Sequence, residues 1–266
     1  MIEITDNIGE RRLLMPLENQ RVTKAFRVFG DAGSAPLIPE KDWKPVDSSH
    51  AIALIKDQDG VGQCNAEATV YCAEAIRALD GMPYVELSAA NLYGRINGGR
   101  DQGSLLEDAI EEINKVGVCS AKTVGRLDWR PNGWPTNWKQ EAQRYRILEW
   151  WWCPTAEHLV SAAMHGWIMN IGMMWGSGDN TDADGFLPDK VSGQAGGHAV
   201  CRAGFLIDSK RGPYFPGPNS WSMKWGAKGW MNITLARLKR EEGNFGWFAA
   251  RSVTIPSGDM DMPQAV

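Results

Sequence analysis

The stretch Gln58-Asp59-Gly60-Val61-Gly62-Gln63-Cys64-Asn65-Ala66-Glu67-Ala68 joins a turn-rich run of Asp and Gly to helix formers that continue to Ile76. A single cysteine, Cys64, stands at the junction, which predicts that its thiol lies in the first turn of a helix. Unpaired N–H groups and the positive end of the helix dipole favour a thiolate there. Because the thiolate rather than the thiol is the nucleophile, Cys64 is a candidate catalytic residue.

Two downstream motifs supply the other groups that a thiol hydrolase needs. His198 lies in Gly196-Gly197-His198-Ala199-Val200, and Asn219 lies in Pro218-Asn219-Ser220-Trp221. A histidine can accept and return the thiol proton, and an asparagine can orient the imidazole ring without adding charge. Cysteine, histidine and asparagine in this chain order indicate a Cys-His-Asn hydrolase.

The composition and charge of the chain exclude some classes of function. Of its 266 residues, 43% are hydrophobic and 23% are charged, which is typical of a globular protein with a large core. The net charge of −4 gives no electrostatic reason to expect a nucleic-acid partner. No segment approaches the roughly 20 apolar residues that span a bilayer, and the N-terminus does not read as a signal peptide. We therefore expect no membrane partner and a location in the cytoplasm or in a virion.

The cysteines indicate a reducing environment. There are five, an odd number, and no two form a Cys-x-x-Cys pair, so a structural zinc site is not expected. Residues 180–185 resemble the first half of a calcium loop, but Val191 stands at the twelfth place, where a bidentate acid is needed. We expect neither a metal nor a cofactor.

Helical patterns occupy the first half of the chain and strand patterns the second. Ser104 and Glu107 form a capping-box pattern at the start of the third predicted helix. The division predicts an α+β protein of two lobes, with a substrate cleft between the lobe of Cys64 and the lobe of His198. The predicted helices cover residues 64–79, 88–93, 104–116, 137–145 and 155–165, and the predicted strands cover 167–171, 198–207, 229–233 and 246–251.

Three segments are expected along the chain. Residues 1–34 form a charged N-terminal arm, 35–256 the functional domain and 257–266 a C-terminal tail. Within the domain, the helical lobe covers about 45–148 and the β-rich lobe about 149–256 together with 35–44.

Further motifs stand at compatible spacings: Asp42-Trp43, Ile55-Lys56-Asp57-Gln58, Leu87-Ser88, Asn97-Gly98-Gly99, Gly197-His198-Ala199-Val200, Asn219-Ser220-Trp221, Trp225-Gly226 and Gly229-Trp230. Together they resemble the papain-like cysteine peptidases over roughly residues 37–256. The resemblance implies a papain-like two-lobe fold: a helical left lobe, an antiparallel β-barrel-like right lobe and an active-site cleft between them.

The resemblance also implies roles for single residues. Cys64 would be the nucleophile, His198 the base and Asn219 its orienter. Gln58 stands six residues before Cys64, where the family has its oxyanion-hole glutamine. Trp221 would shield the bond between His198 and Asn219 from water. The substrate-binding residues expected on this basis are Gly98, Gly99, Gly197 and Trp221.

The chain departs from the family pattern at several places. The family usually has a disulfide beside the active site, and the two cysteine positions hold Val61 and Ile96 here. Asn65 replaces the aromatic residue that usually follows the nucleophile. A long inhibitory propeptide is not recognisable in the sequence.

The expected function is hydrolysis of peptide bonds in a peptide or protein substrate. Two alternatives stay open: an amidase or transpeptidase acting on a specialised peptide, and a catalytically idle module that retains the fold. In the second alternative, the N-terminal arm and a surface rich in the chain's 13 tryptophans would bind a protein assembly partner.

Overall fold

The computed structural model describes residues 1–16 and 24–255, which contain ten strands and six α-helices. The strands are β1 (Ile2–Thr5), β2 (Arg11–Leu14), β3 (Val46–Asp47), β4 (Ile147–Trp152), β5 (Ile168–Gly176), β6 (Ala195–Arg202), β7 (Gly204–Asp208), β8 (Gly212–Pro218), β9 (Trp230–Thr234) and β10 (Trp247–Val253). The helices are α1 (Cys64–Leu79), α2 (Ala89–Ile96), α3 (Leu106–Lys115), α4 (Trp138–Ala142), α5 (Ala156–Met164) and α6 (Leu235–Glu241). The predicted tail, 257–266, lies outside the described residues.

Helix α1 is the central element of the helical lobe and has the predicted bounds. Small residues such as Ala66, Ala68 and Ala75 let neighbouring elements pack closely against it, and nearly its whole length is buried. It contacts strands β5, β6 and β10 of the β lobe. This packing places the first turn of α1, with Cys64, against the strand that carries His198.

Helices α2 and α3 begin differently. Ser88 caps α2 as predicted, and its hydroxyl accepts the N–H of Asn91 at 3.0 Å. The predicted capping box at Ser104 is wrong, because α3 begins at Leu106 and no side chain caps it. The Ser104 hydroxyl instead accepts the side-chain amide of Asn65 at 3.1 Å. A tertiary contact to α1 thus replaces the local cap that the sequence pattern favours.

Two four-stranded antiparallel sheets make up the β lobe. Their strand orders are β4-β10-β5-β6 and β3-β7-β8-β9. Within residues 1–16 and 24–255 the strands do not close into a barrel, but the combination of a helical lobe and antiparallel sheets is the predicted fold class. Strand β3 pairs with β7, so residues 46 and 47 contact the β lobe. Trp43, in the preceding segment, packs its ring against Phe205 of β7.

The predicted strand 198–207 is divided into β6 and β7, which belong to different sheets. The division falls at Gly204, whose φ is +131°. A Cβ at this position would lie 2.6 Å from the carbonyl oxygen of Val46. Only glycine permits both this backbone conformation and this close approach, so Gly204 lets the chain pass from one sheet to the other.

The predicted N-terminal arm begins with a β-hairpin, which the sequence patterns did not reveal. Strands β1 and β2 pair antiparallel. After β2, Met15 forms an antiparallel bridge with Gly197 on β6, with N–H···O distances of 3.0 and 2.7 Å in the two directions. A Cβ on Gly196 would lie 2.5 Å from the Cβ of Leu14, so glycine also allows this contact. The hairpin therefore extends the sheet edge that carries His198.

Apolar side chains form one large buried cluster in the β lobe and another around α1. Val61 and Ile96, which replace the family's cysteine pair, both pack against the cluster around α1. The 13 tryptophans are buried or half-buried in the structure, and a docking role for them stays a prediction. No helix in the described ranges is both long and apolar enough to cross a membrane.

Candidate active site

Cys64 lies between the two lobes, where a turn leads into α1. Asp59 and Gly60 have positive φ, 45° and 71°, and turn the chain before the helix. The N-cap residue Gln63 makes no side-chain capping bond, which leaves the N–H groups of the first turn available near the thiol. Backbone groups of Ala199, on β6, and of the first turn of α1 lie near enough to the Cys64 sulfur to lower the pKa of its thiol. The predicted nucleophile therefore lies next to β6, the strand that carries His198.

His198 and Asn219 form the predicted hydrogen bond. The His198 Nε2 and Asn219 Oδ1 atoms are 2.8 Å apart. The Ser220 N–H donates to the same Asn219 oxygen at 2.9 Å, which identifies that atom as an acceptor. Nε2 therefore carries the proton, and a neutral His198 has its lone pair on Nδ1. Among the described residues, Nδ1 has no hydrogen-bond partner.

An aromatic cluster encloses the imidazole ring. The centroid of His198 lies 4.8 Å from that of Trp221 and 5.3 Å from that of Trp175. Trp175 and Trp221 are themselves 4.7 Å apart. Trp221 was predicted for this place, but Trp175 was not, because no local motif marks a residue of β5 as a neighbour of His198.

Gln58 lies beside the Asn219 segment and is fully buried. Its side-chain oxygen accepts the Ser220 hydroxyl at 2.7 Å, and its amide donates to the Val61 carbonyl at 2.7 Å. Its main-chain N–H also donates to the Ser220 carbonyl at 2.9 Å. The side-chain amide of Gln58 has two N–H groups. One of them holds the turn before Cys64, so the other remains available as a hydrogen-bond donor.

The N-terminal hairpin covers the space between Cys64 and His198. Met1 and Met15 line a narrow cavity together with Cys64, His198 and Gly197. Water-sized spheres can occupy about 10 Å³ of it, which is about the space of one water molecule. Cys64 is 8% exposed and His198 only 2%. A peptide cannot enter while the hairpin is in place.

Arg12 of β2 fastens the hairpin and is completely buried. Within the hairpin it pairs with Asp6 and Glu10, both at 2.8 Å. Across to the domain it pairs with Asp57 at 3.2 Å and donates to the Trp221 carbonyl at 3.3 Å. Its guanidinium also lies 5.3 Å from the centre of the Trp221 ring. One cation thus holds the hairpin together and joins it to residues adjacent to Gln58 and Asn219.

Burial in this closed arrangement favours the uncharged forms of both reactive groups. Desolvation raises the pKa of the Cys64 thiol to about 11, although backbone hydrogen bonds from Ala199 and the first turn oppose it. Desolvation also lowers the pKa of His198 to about 4, against the hydrogen bond to Asn219, and the charges of Arg202 and Arg12 lower it further. At neutral pH the closed site therefore holds a thiol and a neutral imidazole.

The predicted substrate-binding residues are separated in the closed structure. Gly197 lines the cavity at Cys64, and its backbone is occupied by Met15. Gly98 and Gly99 are exposed and lie outside that cavity. No other atom comes within 4 Å of a Cβ built on Gly99, so space is open beside it.

The sequence model of the protein family described as papain family cysteine protease matches residues 38–244 of this chain. The chain therefore belongs to the papain family of cysteine proteases, and its enzyme class is that of a cysteine peptidase. An uncharacterized peptidase C1-like protein of Acanthamoeba polyphaga mimivirus is 27% identical over 225 residues, which are 75% of this chain and 70% of the relative.

Two solved structures illustrate the shared fold. Xylellain, a cysteine protease from Xylella fastidiosa, superposes with a TM-score of 0.60 at 20% identity, covering 87% of this chain and 99% of its own. Digestive procathepsin L 3 of Tenebrio molitor larval midgut gives a TM-score of 0.63 at 17% identity, covering 87% of this chain and 76% of its own.

Proposed function

We propose that the chain hydrolyses peptide bonds with Cys64 as nucleophile, His198 as base and acid, and Asn219 as the residue that orients the ring. The observation that carries the proposal is the state of His198. Its Nε2 is committed to Asn219, while its Nδ1 is buried without a partner in the described part of the chain and shares a cavity with Cys64. A buried polar atom left unpaired costs about 1–3 kcal/mol, and such costs concentrate at functional sites.

In this mechanism the thiol proton passes to His198 Nδ1, and the Cys64 sulfur attacks the peptide carbonyl. The Cys64 N–H and the second amide N–H of Gln58 would stabilise the oxyanion; the loss of one such donor typically costs roughly 3–4 kcal/mol. His198 then returns the proton to the leaving amine, and a water molecule, deprotonated by the same ring, hydrolyses the thioester.

The proposal includes a closed, latent form. The hairpin must leave the cleft before a substrate reaches Cys64, because Met1 and Met15 occupy the approach and Met15 uses the backbone of Gly197. The closed cleft does not favour the amidase or transpeptidase alternative over hydrolysis of ordinary peptides. The location of the protein in the cytoplasm or in a virion stays a prediction.

Labelling with an epoxide reagent that alkylates activated thiols tests the proposal. The full chain and an Arg12→Met variant, which loosens the hairpin, are treated at neutral pH, and the modified cysteine is located by mass spectrometry. We expect modification confined to Cys64 and faster in the variant, together with hydrolysis of a fluorogenic dipeptide panel. Cys64→Ala in the Arg12→Met background should lose both signals.

Three results would overturn the proposal. If Cys64 in the opened variant reacts no faster than the four other cysteines, all of which are buried, it is not an activated thiol. If it reacts but no peptide is cleaved, product analysis on cell-wall peptides and on transfer to added amines decides for the amidase or transpeptidase alternative. A complete lack of both reactions supports the idle module.

A further inference from the structure

A hydrogen-bonded cluster joins three segments around the turn that precedes Cys64. Asp101 Oδ1 accepts the backbone N–H of Gly62 at 2.8 Å and the hydroxyl of Tyr93 at 2.7 Å. The same hydroxyl accepts the N–H of Gly103 at 3.1 Å. One carboxylate oxygen therefore connects the Cys64 turn to helix α2 and to the loop that follows it.

Tyr93, the second donor to Asp101, is held in place by its surroundings. The Tyr93 side chain is completely buried on α2 and packs against Trp129 with ring centroids 5.9 Å apart. Burial, and then the hydrogen bond to Asp101, raise the pKa of Tyr93, so its hydroxyl stays protonated and can donate. The Gly62 N–H and the Tyr93 hydroxyl both donate to Asp101 Oδ1, so these two groups together fix the position of the carboxylate.

The loop that carries Asp101 is braced by its own hydrogen bonds. The buried Asn97 accepts the N–H of Gly99 at 2.8 Å through its side chain and the amide of Gln102 at 3.1 Å through its carbonyl. Residues 97–103 therefore form a surface loop that its own hydrogen bonds brace, with Asn97 and Gly103 buried at its two ends. This loop can therefore couple the position of α2 to that of the turn before Cys64.

The contact at Gly62 leaves no space for a side chain. A Cβ there would lie 2.9 Å from Asp101 Oδ1 and 3.1 Å from the Tyr93 hydroxyl. Glycine at this position lets the carboxylate reach the backbone two residues before Cys64. The Gly62 contact thus fixes the turn close to the N–H of Cys64, which would be an oxyanion donor.

We infer that Asp101 is a positioning residue for the nucleophile: by holding the N–H of Gly62 it sets the orientation of the turn that presents Cys64 to His198. The inference rests on the proposed function. The two segments that it joins are those of Val61 and Ile96, where the papain-like pattern usually has a disulfide, so a hydrogen-bonded link stands in place of a covalent one. Asp101 touches neither substrate nor sulfur in this role.

The test compares Asp101→Ala and Asp101→Asn in the full chain with Arg12→Met, the opened background. We expect Asp101→Ala to lower kcat about 10- to 100-fold, as small misplacements of a reacting group do, with KM changed less than threefold. Asp101→Asn keeps the acceptor oxygen and should restore kcat to within about threefold of the parent. Asp182→Ala is the matched control, because Asp182 Oδ1 also accepts two hydrogen bonds, in this case from two backbone N–H groups of the loop between β5 and β6.

Hydrogen exchange gives a second readout that needs no catalysis. Asp101→Ala should speed amide exchange at least tenfold in residues 59–65, with no change in the rest of α1, and Asp101→Asn should not. Unchanged exchange, or equal loss of kcat in both variants, overturns the role of Asp101 while leaving the proposed function intact. An opened parent that cleaves no peptide overturns the proposed function and with it the catalytic meaning of this contact.

Discussion

Replacing Arg12 by methionine should release the N-terminal hairpin from the cleft. Methionine keeps much of the apolar stem but removes the guanidinium, so the change acts mainly on the charged contacts. Those that cross from the hairpin to the domain are the ion pair with Asp57, the hydrogen bond to the Trp221 carbonyl and the cation–π contact with the Trp221 ring. Their loss weakens docking directly.

The size of the effect follows from these crossing contacts. A desolvated cation–π contact contributes about 2 kcal/mol, and a hydrogen bond with a charged donor about 1.5–3 kcal/mol. The Asp57 side chain is 35% exposed, so its ion pair is discounted to below about 1 kcal/mol. We take about 3 kcal/mol as the docking energy lost, less than a plain sum because the three contacts share one guanidinium. That energy raises the open population by about 150-fold, since each 1.36 kcal/mol is a factor of ten.

The rate of Cys64 alkylation by iodoacetamide measures the open population, provided that the reagent reaches the sulfur only when the hairpin is displaced. The full chain is treated at neutral pH, and the modified Cys64 peptide is quantified over time. We expect an increase of about 100-fold, with a range of about 30- to 1,000-fold that reflects the spread of the contact energies. Arg11→Met is the matched control: Arg11 lies on the same strand but pairs with Glu3 on the surface.

An Arg12→Met rate within threefold of the parent would refute the reasoning, and so would an equal increase in Arg11→Met. The first result would show that the hairpin does not limit access to Cys64. The second would show that any loosening of the hairpin suffices. An Asp57→Asn variant, alone and combined with Arg12→Met, then measures how much of the effect belongs to that ion pair.

Three further outcomes are expected. In the closed chain, the rate of Cys64 alkylation should keep rising up to about pH 11, because burial holds the pKa of the thiol there. In Arg12→Met the midpoint of this pH dependence should fall by more than one pH unit. Equal midpoints in the two proteins would contradict the link between burial and ionisation. Asn219→Ala in the opened variant should lower kcat roughly 5- to 150-fold, the equivalent of about 1–3 kcal/mol for a lost buried hydrogen bond, and should move the pH profile; an unchanged profile would mean that Asn219 does not orient His198. Burial raises the pKa of Glu67 to about 7 from the ordinary 4.5, so its contribution to folding stability is largest below about 4.5 and is lost as pH rises through about 7. Denaturant titrations of Glu67→Gln should show a flatter pH dependence over that interval than those of the parent.

The residues proposed for catalysis could be predicted because they sit in local motifs. The chemistry proposed for Cys64, His198 and Asn219 follows from their residue types and flanking sequences. Packing of α1 against β6 then brings the motifs of Cys64 and His198 together. The role of Gln58 is what the resemblance to the family implies, and the sequence does not show that its amide donates to the Val61 carbonyl. That bond depends on how the turn folds.

The cover over the site could not be predicted, because it depends on contacts between distant parts of the chain. The charges at residues 10–12 predict only a charged N-terminal arm, whereas Arg12 is completely buried and donates to a carbonyl as far along the chain as that of Trp221. The bridge between Met15 and Gly197 likewise joins remote positions. Strand β4, which contains three consecutive tryptophans, was missed for a related reason: its apolar run lacks the alternation that marks a strand with one exposed face.

The closed site is better explained as a latent pair than as a dead one. In the closed form the pKa values of Cys64 and His198 lie about 7 pH units apart, in the order that keeps both groups neutral. Solvent returned by opening would bring them towards their ordinary values of 9.0 and 6.5, leaving a gap of about 2.5. A gap of that size corresponds to about 3.4 kcal/mol. Opposite charges 4 Å apart at an effective dielectric constant of 20 attract by about 4 kcal/mol, and the dipole of α1 adds to this. In the proposed mechanism, release of the hairpin would therefore make the thiolate–imidazolium pair the favoured state when the sulfur and the imidazole lie about 4 Å apart.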